Sequence, residues 1–132
     1  MIPLTRLASY NGIPVSQFLS EEELQKVAAH TMVGGATLTG LLGTSAWYAP
    51  GASVAFLVDS ILNDQKKMIA CSVFVEGEYG QNDICIGVPC IIGKNGVEEI
   101  LDIKLNDAEK ALFAKSADAV RQMNDALKSI LV

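Results

Sequence analysis

An α+β fold is predicted for this chain: an N-terminal hairpin and a three-stranded antiparallel meander, packed against long helices. Three observations predict it: capping boxes that open two long helical stretches, an Asn-Gly pair between short extended runs, and a succession of β-rich segments joined by turn residues. Half of the 132 residues are apolar, enough for one domain with a real core, which excludes disorder.

The opening segment runs from Leu4 to Ser9, turns at Tyr10-Asn11-Gly12 and returns from Ile13 to Phe18. Asn-Gly tolerates positive φ at both central positions of a tight turn, so a short antiparallel ribbon is expected. Pro3 and Pro14 lack an N–H donor and belong at strand starts or edges. Ser20-Glu21-Glu22-Glu23 is a capping box, and the three glutamates complement the positive end of the helix that it opens. Leu24, Val27, Ala28 and Met32 continue at helical spacing, through Gly34-Gly35, to Leu38, Leu41 and Leu42. Two helical glycines each cost about 1 kcal/mol relative to alanine, and close approach of another helix or backbone is the expected reason for them.

A second helix is entered near Ser45 and opened or kinked at Pro50. Val54, Phe56, Leu57, Val58, Ile61 and Leu62 make it apolar on nearly every side, so it is expected to be the most buried helix. Lys67 to Gly77 and Asp83 to Ile92 read as strands joined by a turn at Glu78-Tyr79-Gly80, and Lys94-Asn95-Gly96 turns into a third strand, Val97 to Leu105. The last helix is capped by Asn106 with Glu109 at the capping-box position. Its predicted apolar stripe is Leu112, Ser116, Val120, Met123, Leu127 and Leu131, with Lys110, Lys115, Arg121 and Lys128 off it.

A formal charge of −5 with scattered Lys and Arg excludes the basic footprint of a nucleic-acid binder. No apolar run approaches a bilayer span, and the first residues lack a signal-peptide layout, so a cytoplasmic location is expected. Cys71, Cys85 and Cys90 form no CxxC pair and sit among apolar neighbours, where they are expected as buried, reduced thiols with no metal. His30, the only histidine, has no carboxylate at i±3 or i±4 to orient it, so it reads as a helix-surface or partly packed residue. Gly34 to Gly40 lacks the preceding strand and the lysine of a phosphate loop. Glu98-Glu99 lie on a strand, and no carboxylate pair shares a cleft by its spacing. Read from the residues, the chain is a packed domain with no complete catalytic set.

Gly34-Gly35-Ala36-Thr37-Leu38-Thr39-Gly40-Leu41-Leu42, succeeded by Ser45-Ala46-Trp47-Tyr48-Ala49-Pro50-Gly51-Ala52-Ser53, resembles the paired-glycine helix and SAYYAP-type stretch of the lactate/malate dehydrogenase family, in its malate version. Glu76-Gly77-Glu78-Tyr79-Gly80, Gly87-Val88-Pro89 and Gly93-Lys94-Asn95-Gly96-Val97-Glu98 match in order the same family's strand ends and hairpin. Lys115-Ser116-Ala117 is similar to its last helix, and Met1-Ile2-Pro3-Leu4 is similar to the stretch directly after its His-Gly-Asp catalytic segment.

The resemblance implies that residues 1–132 are the substrate-side, C-terminal domain of an NAD-dependent malate dehydrogenase, without the N-terminal Rossmann domain. NAD would be bound by that other domain, and the arginines and Asp/His relay of the family have no match here. Catalytic residues on this chain are therefore expected to be none. Ser45 and Ala46 match the stretch lining the substrate pocket, and Pro50 the position flanking the nicotinamide ring. Malate, the nucleotide-binding domain and further copies of the chain are the implied partners, and the isolated chain is expected to be inactive. A lactate dehydrogenase half and a free-standing oligomerisation module remain open alternatives.

Overall fold

The computed structural model describes residues 1–128. Two compact units divide the chain, Met1–Ala49 and Pro50 onward, and each is described by itself.

In the first unit, β1 (Ser9–Tyr10) pairs antiparallel with β2 (Ile13–Pro14). Asn11 and Gly12 take φ of 48° and 82°, the two positive values that the Asn-Gly pair predicts. The ribbon is shorter than expected, because its arms leave the ladder as single 3₁₀ turns at Thr5–Leu7 and Val15–Gln17. Helix α1 (Glu21–Leu42) opens on the predicted capping box: the Glu23 N–H donates to Ser20 Oγ at 3.4 Å, and the Ser20 N–H donates to Glu23 Oε2 at 2.8 Å. That N–H holds the Glu23 carboxyl below its ordinary range. Gly34 and Gly35 are helical, but nothing lies within 4 Å of where their Cβ atoms would be. The close approach expected there is therefore absent among the described residues, and that face of α1 is open.

The second unit holds α2 (Tyr48–Leu62, starting just before the boundary), the meander β3 (Lys67–Glu76), β4 (Asn82–Gly93) and β5 (Gly96–Ile100), and α3 (Asp107–Lys128). Both ladders are antiparallel, in the order β3-β4-β5. Side chains alternate across a strand. Val73 and Val75 of β3 and Ile84, Ile86, Val88, Cys90 and Ile92 of β4 therefore share one buried face, and α3 packs against β4 through Phe113 and Ala117.

Helix α3 begins as predicted: the Asn106 N–H donates to Glu109 Oε2 and the Glu109 N–H returns to Asn106 Oδ1. Its buried face, however, is Glu109, Phe113 and Ala117, turned by one position from the predicted stripe. Of the predicted stripe, Ser116 and Val120 are half-buried, Leu112, Met123 and Leu127 are exposed, and Leu131 lies outside the described residues. The Phe113 ring sets this rotation by meeting Tyr79 at 5.3 Å. Arg121, expected off the packed face, is half-buried and donates to Gln81 Oε1 at 2.9 Å and to the Asn82 carbonyl.

The third strand ends at Ile100 rather than Leu105, and Tyr79 supplies the reason. Its hydroxyl donates to the Leu101 carbonyl and accepts from the Ile103 N–H at 3.0 Å, so that although the Leu101 N–H still reaches the Pro89 carbonyl of β4 at 2.9 Å, the pairing goes no further. Tyr79 itself sits at φ 54°, where a non-glycine residue costs about 1–2 kcal/mol. Two hydrogen bonds at about 0.5–1.5 kcal/mol each and an aromatic pair of similar worth exceed that cost. Tyr79→Phe keeps the ring contact but strands two backbone groups. Urea unfolding is expected to show a loss of about 1–3 kcal/mol, and an unchanged midpoint would show that the hydroxyl bridge contributes nothing.

Candidate functional site

Gly43 ends α1 in the left-handed region at φ 66°, its N–H donating to the Thr39 carbonyl, the usual place for glycine just past a helix. An irregular connector then carries Ser45, exposed, and Ala46, half-buried, before α2 starts at Tyr48, three residues later than the entry expected near Ser45. Pro50 lies in the first turn of α2, where an N–H would have no acceptor within the helix, so it opens α2 and does not kink it. The three residues singled out from the sequence thus fall within six consecutive positions, in the connector and the helical turn next to it.

The expectation that α2 is the most buried helix is overturned: among its residues only Ser60 is buried. Ser60, with no exposed surface, returns its hydroxyl to the Phe56 carbonyl at 2.8 Å, as a buried serine in a helix commonly does. Tyr48, Gly51, Val54, Ala55, Val58 and Leu62 recur at helical spacing and are all exposed, Tyr48 to 94% and Leu62 to 77%. A helix that is apolar all round is ordinarily buried, yet here the side opposite this stripe is covered only at Ser60 and partly at Leu57 and Ile61. Trp47 is also 71% exposed just ahead of this stripe. The stripe is the feature that the sequence reading missed, although its spacing was visible in the residues.

At the far end of α2 the polar groups serve the helix. Asn63 Nδ2 and Gln65 Nε2 each donate to one oxygen of Asp59 at 2.7 Å. The connector carries the polar side chains of Thr44, Ser45 and Trp47, and the start of α2 those of Tyr48 and Ser53. Each segment offers hydroxyls for hydrogen bonding, and neither holds a carboxylate or histidine for an acid–base pair.

Other candidates carry less chemistry. His30 lies exposed on α1, as its spacing predicts. An open groove of about 410 Å³ is lined by Tyr79, Asp102, Ile103, Lys104, Leu105 and Lys110. Among the described residues no group of three or more His, Cys, Asp or Glu could hold a metal ion, and no helix is long and apolar enough to cross a membrane. The cysteines divide by strand parity: Cys90 is buried, Cys71 half-buried and Cys85 exposed, which corrects the expectation that all three are buried. Residues 85 and 90 differ by an odd number along β4, so they face opposite sides of the sheet. Burial, then the neighbouring Cys71, pushes the Cys90 thiol above its ordinary range.

A profile described as lactate/malate dehydrogenase, alpha/beta C-terminal domain, matches residues 1–130. The chain belongs to this family. It is 95% identical over all 132 residues to a malate dehydrogenase of Flavobacterium frigidimaris, and it covers 42% of that protein. Among solved structures, a malate dehydrogenase from Salinibacter ruber superposes with a TM-score of 0.96 at 39% identity, covering 98% of this chain and 43% of that one. A lactate dehydrogenase from Eimeria maxima, solved with NADH and oxamate, superposes with a TM-score of 0.92 at 36% identity, covering 97% of this chain and 42% of that one. The chain thus has the family's C-terminal fold and spans about two fifths of the length of the relatives it matches.

Exposure orders the cysteines by reactivity, and the raised Cys90 thiol adds to the protection of that residue. Timed alkylation with mass spectrometry is expected to modify Cys85 first and Cys90 only after denaturant is added. Labelling of Cys90 in the native chain at the rate of Cys85 would contradict the assigned strand faces.

Proposed function

We propose that this chain is the substrate-side half of an NAD-dependent malate dehydrogenase and that the reacting groups lie on polypeptide outside these 132 residues. The observation that carries the reading is identity along the whole chain to proteins named malate dehydrogenase, of which it covers 42%. In the complete enzyme NAD supplies the hydride acceptor for malate oxidation. The residues present do not fit a dinucleotide site: Gly34 to Gly40 lie inside α1, where their N–H groups face the preceding turn and cannot cradle phosphates. No catalytic step is assigned to this chain. In the complete enzyme Ser45 and Ala46 would contribute a hydroxyl and a small side chain to the substrate wall, and Pro50 would offer a rigid apolar edge to the nicotinamide held by the other half. The outward stripe of α2 is the surface that the nucleotide-binding half or another copy would cover. A cytoplasmic location goes with this reading.

Lactate dehydrogenase is a weaker reading, since the fold fits both but the 95% identity is to a malate enzyme. The open faces of α1 and α2 favour a free-standing association module as the rival of another class.

Missing hydride donor, relay and carboxylate clamp together forfeit about 7–11 kcal/mol of proximity alone. The purified chain is therefore expected to give no NADH oxidation with oxaloacetate, and mixing with a separately produced nucleotide-binding half should restore turnover. NAD-dependent malate oxidation by the chain alone would overturn the assignment. In the reconstituted enzyme, Ser45→Ala and Pro50→Ala are expected to raise KM about threefold to tenfold with a smaller change in kcat, because uniform binding and not chemistry is removed.

The exposed stripe exceeds the scattered apolar residues normal on a monomer. Sedimentation of the isolated chain should show self-association at micromolar concentration, and Val58→Ser with Leu62→Ser should shift it toward monomer. A wild-type chain that stays monomeric throughout would remove the case for an interface on this face.

A further inference from the structure

Four backbone features converge at the corner between α2 and β3. Asp64 and Lys66 both take left-handed conformations, φ 49° and 52°. The Gln65 N–H donates to the Ser60 carbonyl at 2.9 Å, so α2 ends in a Schellman-type turn with Asp64 at the position that glycine prefers. Across from it, the β4–β5 register jumps from Ile91↔Glu99 to Ile92↔Val97, leaving Glu98 as the bulged residue. A bulge re-aims the side chain it carries. Gly93, beside it, has no room for a Cβ, which would lie 2.5 Å from Glu98 Oε1 and 2.8 Å from Asp64 Oδ1.

The side chains close what the backbone sets up. Asp64 Oδ1 accepts from the Lys94 N–H at 2.9 Å, and Lys66 Nζ lies 3.1 Å from the same oxygen. Lys66 Nζ also donates to Glu98 Oε2, while Glu98 Oε1 accepts from the Asn95 N–H and Nδ2 at 3.4 and 3.3 Å. Without the ammonium, two carboxylates would crowd the space over Gly93. A helix stop alone needs no aspartate, and a hairpin turn alone needs no bulged glutamate.

We propose that Asp64, Lys66 and Glu98 form an electrostatic latch that ties the end of α2 to the β4–β5 hairpin, so that the corner and the hairpin open together. This stands apart from the functional reading, since it concerns the far end of α2 from Pro50. The charged groups facing one another are Asp64, Lys66, Lys94 and Glu98. The Lys94 N–H and then Lys66 hold the Asp64 carboxyl below its ordinary range, and Lys66 does so for Glu98. The carboxylate contribution is thus complete above the unfolded values, about 4, and lost as pH falls through the lower folded ones. Glu98 and then Asp64 raise the Lys66 value, so its contribution is complete below about 10.4 and lost as pH rises through the folded value.

Amide hydrogen exchange on the 132-residue chain tests this. Lys66→Met removes the cation and leaves every backbone acceptor in place. It is expected to speed exchange at least fivefold at Gln65 and Lys94 together, with the centre of the β3–β4 ladder unchanged. Glu98→Gln should speed Gln65, on the opposite side of the latch. Asp64→Gly relieves the left-handed backbone, so a mere helix stop would slow or leave exchange at Asn95, whereas the latch requires it to quicken. In wild type, 1 M salt should reproduce the Lys66→Met pattern by screening, and it should have little effect on the neutral Asp64→Asn, Lys66→Met, Glu98→Gln variant. Unchanged Gln65 exchange in both Lys66→Met and Glu98→Gln, with the ladder intact, would overturn the proposal.

Discussion

The β3–β4 ladder is the constraint on which the rest of the second unit depends. Its register runs from Lys67↔Ile92 to Val75↔Ile84 without a slip, so one set of alternate residues must be covered and the other must not. That single parity places Val75, Val88 and Cys90 in the core, turns Cys85 outward, and gives α3 a surface to pack on. Where the ladder breaks, a side chain is redirected. Asp83 is passed over beyond Val75 and takes a left-handed φ, next to the loop in which Tyr79 reaches across to Leu101 and Ile103. Glu98 is passed over in the second ladder and meets Lys66.

Helices α1 and α2 obey a different logic. Each carries more apolar surface than these residues bury: Leu24 is the buried residue of α1 and Ser60 that of α2. Water-facing Tyr48, Val54, Val58 and Leu62 make sense on a helix with a second surface against it. The chain has a family's C-terminal domain fold and spans 42% of the length of its relatives, and under the reading proposed above the remaining polypeptide would cover this surplus. The proposed division of labour rests on the same fact: the start of α2 offers shape, and the chemistry needs groups that this surface lacks.

Much of the fold was legible because its signals are local. Ser20 with Glu23, Asn106 with Glu109, and Asn11-Gly12 each act within four residues, and each formed as its chemistry requires. The face of α3 was misjudged by one position because Leu112 and Phe113 are equally apolar on paper. Tyr79, more than thirty residues earlier, and the β4 face select Phe113 for the interior. The end of the third strand is not legible in the sequence, because nothing between Ile100 and Leu105 announces that the same tyrosine takes the Leu101 carbonyl and the Ile103 N–H. The candidate residues Ser45, Ala46 and Pro50 came from a resemblance, and spacing alone would not have chosen them over their neighbours.

Taken by itself, the amino-acid order determined where α1 and α3 begin, where the chain turns, and to which family it belongs, since capping, turn preference and residue identity need no distant partner. Tertiary structure alone decided which faces are covered, where β5 ends, and that Asp64, Lys66 and Glu98 meet. Those outcomes depend on what is brought opposite a given side chain from tens of residues away, and a periodic pattern carries no information about what stands across from it.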